Sequence, residues 1–477
     1  MKRTQRIDAA AATMALCAFT AMDAAMSPAQ EQVIATLQLS AVQYSWVSAA
    51  QFLFIAISAP LIGRCGDVFD KRSVLAVSLG LACAGGLLAW SATSVATYML
   101  MQTLLCAWVG AGTVAAALIS ETSPAEHKAR NQGLLQGATG LFATVALLAA
   151  GPVMSALGPL SLFWLPAVAA LPCAVFLGRR LAQRPPAAPR AEHAGLRQLD
   201  VRGGLVLGGM LALLSVALQF LTHGGWLTAL ALCCLAVMAF MLPRWVREQR
   251  QHATPFVDVT LLAGRDVACM HLMALTLGVG TTAIYVLLPM LVTAASASGA
   301  SYSSSALLVG GLLLPTGVTS VLLTPLYAPL DRRLGPRGVL ALGLACIAVA
   351  LVIPVVWRQS IWPLLACTTL FGAGISLAYT EGITELLRVV PAERGAGASG
   401  TFQLAKTIGS LLGATGFSVV LSTGTDASAV AGLPQLNTAF AIAAAVSAAG
   451  MLATAGIRPR VPVALDENHL VPRQLED

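Results

Sequence analysis

Apolar runs of about twenty residues, one after another, constrain this chain more than any other feature. A run of that length spans the hydrocarbon core of a bilayer as one helix. Such runs cover 8–28, 43–63, 73–92, 95–119, 132–157, 160–178, 204–222, 226–243, 267–293, 304–326, 338–357, 361–386, 400–422 and 437–457. They predict about fourteen spans. Lipid offers no partner to open backbone groups, so each span is expected to be a helix. Pro152, Pro166, Pro289 and Pro315 fall within spans; neighbouring helices can re-satisfy the carbonyls that proline frees. The expected fold class is all-α and integral to a membrane.

Charge agrees with that reading. Of the 477 residues, 57% are hydrophobic and only 10% charged, against about 25% charged in a soluble domain. The net charge of +7 is spread over short connections and does not form the single basic stripe of a nucleic-acid binder. Loops on one side hold Arg64, Lys71 and Arg72; Lys128 and Arg130; Arg179 through Arg202; Arg244 through Arg265; Arg332, Arg333 and Arg337; and Arg388 and Arg394. Arg358 alone lies in a loop on the other side, and Lys406 alone lies within a span. Basic residues collect in cytoplasmic loops. The expected location is therefore a bacterial-type inner (plasma) membrane, crossed many times, with both termini cytoplasmic. The basic N-terminus, Lys2 to Arg6, precedes an apolar run that continues to about Met26 and reads as the first span, not as a cleaved signal.

Two polar connections divide the chain. One contains Arg184-Pro185-Pro186-Ala187-Ala188-Pro189-Arg190, a composition that suits a solvated linker; the other runs from Arg244 to Asp266. The expected organisation is a six-helix bundle over 1–180, a linker with two additional spans over 181–266, a second six-helix bundle over 267–460 and a cytoplasmic tail over 461–477. Two similar halves suggest a repeated architecture.

The ten cysteines show no metal-ligand spacing and read as small buried hydrophobes. His193, His252 and His271 have no ligand partner at i,i+4. No metal, no cofactor and no catalytic set is expected, so an integral-membrane enzyme or a sensor is a minor alternative.

Ionisable groups inside spans are costly and few. Asp23 sits toward the outer end of the first span and is either a proton carrier or a carboxylate near the headgroups. Glu381 lies in the inner third of the twelfth span and Lys406 about two turns into the thirteenth. They form either a structural pair between neighbouring helices, with Lys406 able to snorkel instead, or a coupling site on Glu381. Gln51, Gln102, Gln136, Thr282, Tyr285 and Gln403 are candidates to line a central cavity, although such residues also serve as helix-to-helix hydrogen bonds. Gly133, Gly137 and Gly140 share one helical face, and Gly409 and Gly413 form a small-x3-small pair; both permit close helix approach. Trp46, Trp226 and Trp362 at span ends read as interfacial anchors.

Between the second and third spans the chain reads Gly63-Arg64-Cys65-Gly66-Asp67-Val68-Phe69-Asp70-Lys71-Arg72. This resembles the Gly-x3-Asp-x2-Gly-Arg-Arg/Lys loop of the major facilitator superfamily, with Asp70 where the family usually has Gly. Gly63, Asp67, Asp70, Lys71 and Arg72 are thereby expected to form a conformational gate. Further stretches resemble the fourteen-span drug:proton antiporter branch. Asp23 looks like the acid of its first-span motif, and Gly151-Pro152 resembles the centre of its fifth-span antiporter motif. Leu199 to Gly203, Gly225-Trp226, Pro255 to Asp258, Leu334 to Arg337 and Gly395 to Gly400 resemble its connecting segments. Two places depart from the branch. Cys106 stands where span 4 commonly has an Arg associated with proton coupling, and Ser155-Ala156 replaces a Gly pair.

The resemblance implies a secondary transporter that exports a small amphipathic organic compound in exchange for protons, with Asp23 and Glu381 as coupling candidates. A substrate-specific importer or an uncoupled facilitator on the same fold is the alternative. The expected partners are a small-molecule substrate, protons and membrane lipid, without nucleic acid. Some relatives of the branch also work with a periplasmic adaptor, which stays open for this chain.

Overall fold

The computed structural model describes residues 10–25, 41–92, 94–123, 128–182, 200–220, 225–252, 255–302, 306–422, 432–454 and 456–457. Helices occupy the places of the apolar runs: α1 Ala10–Ala25, α2 Ala41–Val68, α3 Lys71–Leu88, α4 Val95–Thr122, α5 Lys128–Leu157, α6 Ser161–Ala182 and α7 Val201–Phe220. They continue with α8 Gly225–Gln251, α9 Arg265–Ala297, α10 Ala306–Leu322, α11 Tyr327–Val356, α12 Ile361–Val389, α13 Gly395–Ser422 and α14 Leu433–Thr454. No strand occurs among the described residues. Eleven of these helices, α3 to α6 and α8 to α14, are long and apolar enough to cross a membrane, while α1 and the apolar part of α7 are shorter. The count of fourteen crossings stays an expectation.

Helix ends and breaks follow local chemistry. Asp70 caps α3 by accepting a hydrogen bond from the Ser73 backbone N–H at 3.0 Å. Ser94 and Thr97 form a capping box at the start of α4. Helix α4 is interrupted at Cys106, and α9 carries a π-turn over Ala283–Leu287. The expected polar loop around 327–337 is helical instead. Tyr327 to Val356 runs as one element with a kink at Gly335, whose φ of 65° is a left-handed value that glycine adopts without penalty. Pro336 follows that kink, as expected where a chain restarts a helix.

Large apolar side chains cover the outer wall. Leu205, Trp226, Leu322, Trp362 and Leu452 are all exposed, which costs little against lipid. The core is alanine-rich and held by close helix approach. Helix α9 packs on α13, α11 on α12, and α3 on α6. The most extensive contacts between the first six helices and the last six are α2 on α13 and α5 on α10, with α4 on α13 and α5 on α12 beside them. The glycine face of α5 serves its contacts with α10 and with the start of α11. A Cβ on Gly133 would overlap the Tyr327 ring, and one on Gly137 would press on the Ser320 carbonyl at 3.1 Å. In the α9–α13 contact, Gly409 faces the Leu275 carbonyl with no room for a methyl group.

The pair α7–α8 has its own framework. Asp200 accepts hydrogen bonds from the Gly203 backbone N–H at 2.7 Å and from Gln249 Nε2 at 2.5 Å. Gln249 Oε1 accepts from the Val257 N–H at 3.1 Å, and Trp245 Nε1 donates to the Gly203 carbonyl at 2.8 Å. This platform carries a small apolar cluster in which Leu207, Met210 and Leu211 of α7 meet Ala56 of α2 and Leu404 of α13.

Gly409→Ile is expected to lower the thermal unfolding midpoint in detergent, through an overpacking cost of about 1–3 kcal/mol or more. Gly151→Ala, which meets open space, is expected to leave the midpoint within error.

Candidate functional site

A central cavity of about 1350 Å³ lies between the two sets of six helices. Its walls come from α1 (Thr20, Asp23), α4 (Trp108), α5 from Gln136 to Met154 and α9 from Thr281 to Thr293. The rest comes from α10 (Val309 to Ser320), α12 (Phe371 to Tyr379) and α13 (Gln403 to Ala414). These are the later portions of α1 and α9 and the middle stretches of α10, α12 and α13. The cavity therefore sits around mid-height and extends toward the end of the bundle where α1 and α9 finish.

The lining is mostly apolar, with hydroxyls and amides at intervals. It contains two ionisable residues besides Tyr285 and Tyr379: Asp23 and Lys406. These two act on each other electrostatically from opposite sets of helices. Lys406 Nζ also lies 5.1 Å from the centre of the Tyr379 ring, within cation–π reach. Tyr379 Oη donates to Gln403 Oε1 at 3.1 Å. The π-turn of α9 brings Tyr285 into the wall one turn beyond Thr282, whose hydroxyl donates to the Ser410 carbonyl of α13 at 3.1 Å. Turns of that kind recur at functional sites because they re-aim side chains.

Of the expected cavity residues, Gln136, Thr282, Tyr285 and Gln403 line it, as do Asp23, Gly151 and Pro152. Gln102 does not. It is buried among the first six helices and donates to Tyr98 Oη at 3.0 Å. The side chain of Gln51, like that of Trp46, lies outside the described residues. The Glu381–Lys406 pair is not formed either. Glu381 faces Arg388 at 3.9 Å, away from the cavity, while Lys406 turns into the cavity toward Asp23. The cavity role of Lys406 was missed because the sequence fixes its depth in α13 and not its azimuth. Cys106, at the expected place of an Arg, also lies within electrostatic reach of Asp23. The cation opposite the acid is therefore supplied by α13 and not by α4.

The end of the bundle where α2 finishes and α13 begins is closed, and the last turns of α2 close it. Asp67 accepts hydrogen bonds from the backbone N–H groups of Ala396 at 2.9 Å and Gly397 at 2.8 Å. These are the first residues of α13, where free N–H groups and the helix dipole favour an anion. Gly63 lets the backbones meet: a Cβ there would lie 2.5 Å from the Ala396 carbonyl oxygen. Lys71 pairs with Glu121 at the end of α4 at 2.7 Å. Arg394 pairs with Asp258 at 2.5 Å. In the second half, Asp331 lies 3.6 Å from Arg388, which is also bonded to Glu385.

A cavity between two helical sets, closed at one end by an Asp on a helix start, invites comparison with known transporters. The sequence model of the Major Facilitator Superfamily matches residues 11–265 and 270–474. The chain belongs to the Major Facilitator Superfamily. This superfamily chain is 25% identical over 375 residues to the multidrug resistance protein Stp of Mycobacterium tuberculosis (strain CDC 1551 / Oshkosh), covering 77% of this chain and 67% of Stp. Its fold is similar to that of the human organic anion transporter MFSD10 (TETRAN), with a TM-score of 0.64 at 12% identity over 94% of this chain and 99% of that one. It is also similar to the proton:xylose symporter XylE bound to 6-bromo-6-deoxy-D-glucose, with a TM-score of 0.63 at 15% identity over 94% of each chain. The protein is thus an all-helical membrane transporter of this superfamily.

The Asp258–Arg394 pair ties the segment before α9 to the start of α13, beside the gate. Burial acts to raise the Asp258 carboxyl, but hydrogen bonds from Thr260 and Leu261 and the Arg394 guanidinium hold it below the usual carboxylate range. A carboxyl held down in this way contributes stability above its unfolded value of about 4, and loses it as pH falls through the folded value. The side chains are 21% and 53% exposed, so solvent keeps the pair's contribution at or below about 1 kcal/mol. Asp258→Asn is expected to lower the unfolding midpoint slightly at pH 7. The difference from wild type should vanish in melts run at progressively lower pH below about 4.

Proposed function

We propose that this transporter exports small amphipathic organic compounds in exchange for protons, by alternating exposure of the central cavity. The observation that carries the proposal is the Asp23–Lys406 pair: one acid and one base, the only Asp, Glu, Lys or Arg in the lining among the described residues, on opposite helical sets. An ionised Asp23 attracts Lys406 and draws the two sets together around the cavity. A protonated Asp23 does not. Proton binding therefore has a different free energy in the two arrangements, which is the condition for a proton to shift their populations. The apolar remainder of the lining suits an amphipathic substrate, held by apolar contact with a few polar anchors. The likeness to Stp supports a drug-like substrate.

The loop charges support the closed end as the cytoplasmic one, because the basic residues gather there. The conformation is then outward-facing, with the Asp67 contact as the inner seal. Opening the inner side would break Asp67 from α13 and Gly133 from Tyr327 and form new contacts at the outer rim, a rocking of one half against the other.

An uncoupled facilitator is a second reading, favoured by Cys106 in place of the arginine of the branch. Lys406 weighs against it, since it restores a cation beside Asp23.

Reconstituted protein should drive efflux of a cationic dye or a neutral antibiotic when a pH gradient is imposed. Asp23→Asn is expected to abolish the response to the gradient while substrate binding stays within about threefold. Flux in wild type that ignores the gradient would establish the facilitator. Lys406→Gln is expected to keep the fold and to shift the pH dependence of flux, because Asp23 loses its counter-charge.

A further inference from the structure

A line of hydroxyl groups leads from the cavity floor toward the closed end. Ser376 of α12 lines the cavity, and its Oγ is hydrogen-bonded to Tyr327 Oη of α11. Thr380 Oγ1 donates to the same Tyr327 oxygen at 3.4 Å. Because Tyr327 Oη takes that hydrogen, its own hydrogen can point to another acceptor. All three residues are buried.

The residue after Thr380 is Glu381. It is 0% exposed, and neither of its carboxyl oxygens accepts a hydrogen bond. The nearest cation is the Arg388 guanidinium at 3.9 Å, and that group already bonds Glu385 and lies 3.6 Å from Asp331. Three acids thus share one arginine, and the deepest of them has the poorest contact with it. A bare carboxylate in that position has lost its water and gained no donor. A neutral carboxylic acid in the same position costs far less.

Among the described residues, the charged and titratable groups that reach Glu381 are Arg388 on its own helix, which also holds Glu385, and Asp331 and Tyr327 on α11. Other helices present uncharged groups to this stretch: Met273 of α9 and Phe402 of α13 against Gly382, and the Ser320 carbonyl of α10 against Ser376. Gly133 of α5 packs on the Tyr327 ring, and Glu121 of α4 is engaged with Lys71.

We propose that Glu381 is a second proton-binding site, filled from the cavity through Ser376 and Tyr327 and emptied toward Asp331 and Glu385 when the closed end opens. The proposal deepens the proton-coupled reading above, on which its role in transport rests. In the transfer, Ser376 Oγ takes a proton from a hydronium ion in the cavity, which is left as water, as its own hydrogen passes to Tyr327 Oη and the tyrosine hydrogen passes to the Glu381 carboxylate. Each hydroxyl ends with one hydrogen, Glu381 becomes a carboxylic acid, and nothing is oxidised or reduced. The last step needs a rotation of the carboxyl or one bridging water. Opening of the inner end withdraws Gly133 from the Tyr327 ring and admits water to the acid, which releases the proton on that side.

The test uses the full chain in lipid vesicles and needs no substrate. Difference infrared spectroscopy at pH 7 is expected to show a protonated carboxyl band that shifts in deuterated water, disappears in Glu381→Gln and persists in Asp23→Asn. The same band in Glu381→Gln overturns the site. After a pH jump, the band is expected to respond at least tenfold more slowly in Tyr327→Phe, which keeps the ring against Gly133 and removes the hydroxyl. Equal rates overturn the route. Efflux of the cationic dye ethidium under a pH gradient separates this idea from the antiport reading. Flux that ignores the gradient in wild type overturns antiport, and with it any transport role for the route, while the infrared band still decides whether Glu381 holds a proton.

Discussion

One carboxylate, Asp67, sits on the exposed N–H groups that begin α13 and holds one end of the molecule shut. The contact is possible only because Gly63 and the glycine-rich start of α13 bring two backbones within van der Waals reach. Charge on the helix dipole gives it strength, and the absence of side chains gives it geometry. The contact of α5 with α10 and the start of α11 is built differently, from glycines against the Ser320 carbonyl and the Tyr327 ring. The α2–α13 contact seals one end of the cavity, while the α5–α10 contact runs along its wall, from Gly137 against Ser320 to Leu148 against Gly310.

Once that end is sealed, the placing of ionisable groups follows a simple economy. Asp23 and Lys406 lie where the cavity gives them access to water and to each other. Asp331, Glu385 and Arg388 lie at the closed end, where hydrogen bonds and ion pairs satisfy them. Glu381 belongs to neither place. It is the one acid among the described residues that is fully buried and unmatched by a hydrogen bond, and such a group is retained only where it has a use or a proton.

Much of this was legible in the sequence, for physical reasons that can be named. Apolar length marks where the helices lie because lipid forbids any alternative, and the alternation of Arg and Lys supplies the expectation of which side each loop faces. Asp67 was legible because its place beside Gly63 makes a pattern. The glycine face of α5 was legible as a packing surface, though not as the contact between halves. The orientation of single side chains around a helix was not legible. An amphipathic signal tells water from oil, but inside a membrane both the lipid face and most of the core are oil. Lys406 therefore gave no sign that it faces Asp23, nor Gln102 that it serves Tyr98. The kink at Gly335 hid in the same way: the helix from Tyr327 resumes across it, because Gly and Pro together restart the backbone at a polar segment that reads as a loop.

The two additional helices have an effect beyond lengthening the chain. Leu207, Met210 and Leu211 of α7 lie over the junction of Ala56 in α2 with Leu404 in α13. Among the described residues no comparable packing joins α7 or α8 to α5 or α10. The α2–α13 seam of the transporter thus carries an added helix pair that the α5–α10 seam does not share among the described residues. In a bilayer the two flanks therefore turn different surfaces to the lipid, a helix pair over the α2–α13 junction and the backs of α5 and α10 themselves over the other, although the two halves are built alike.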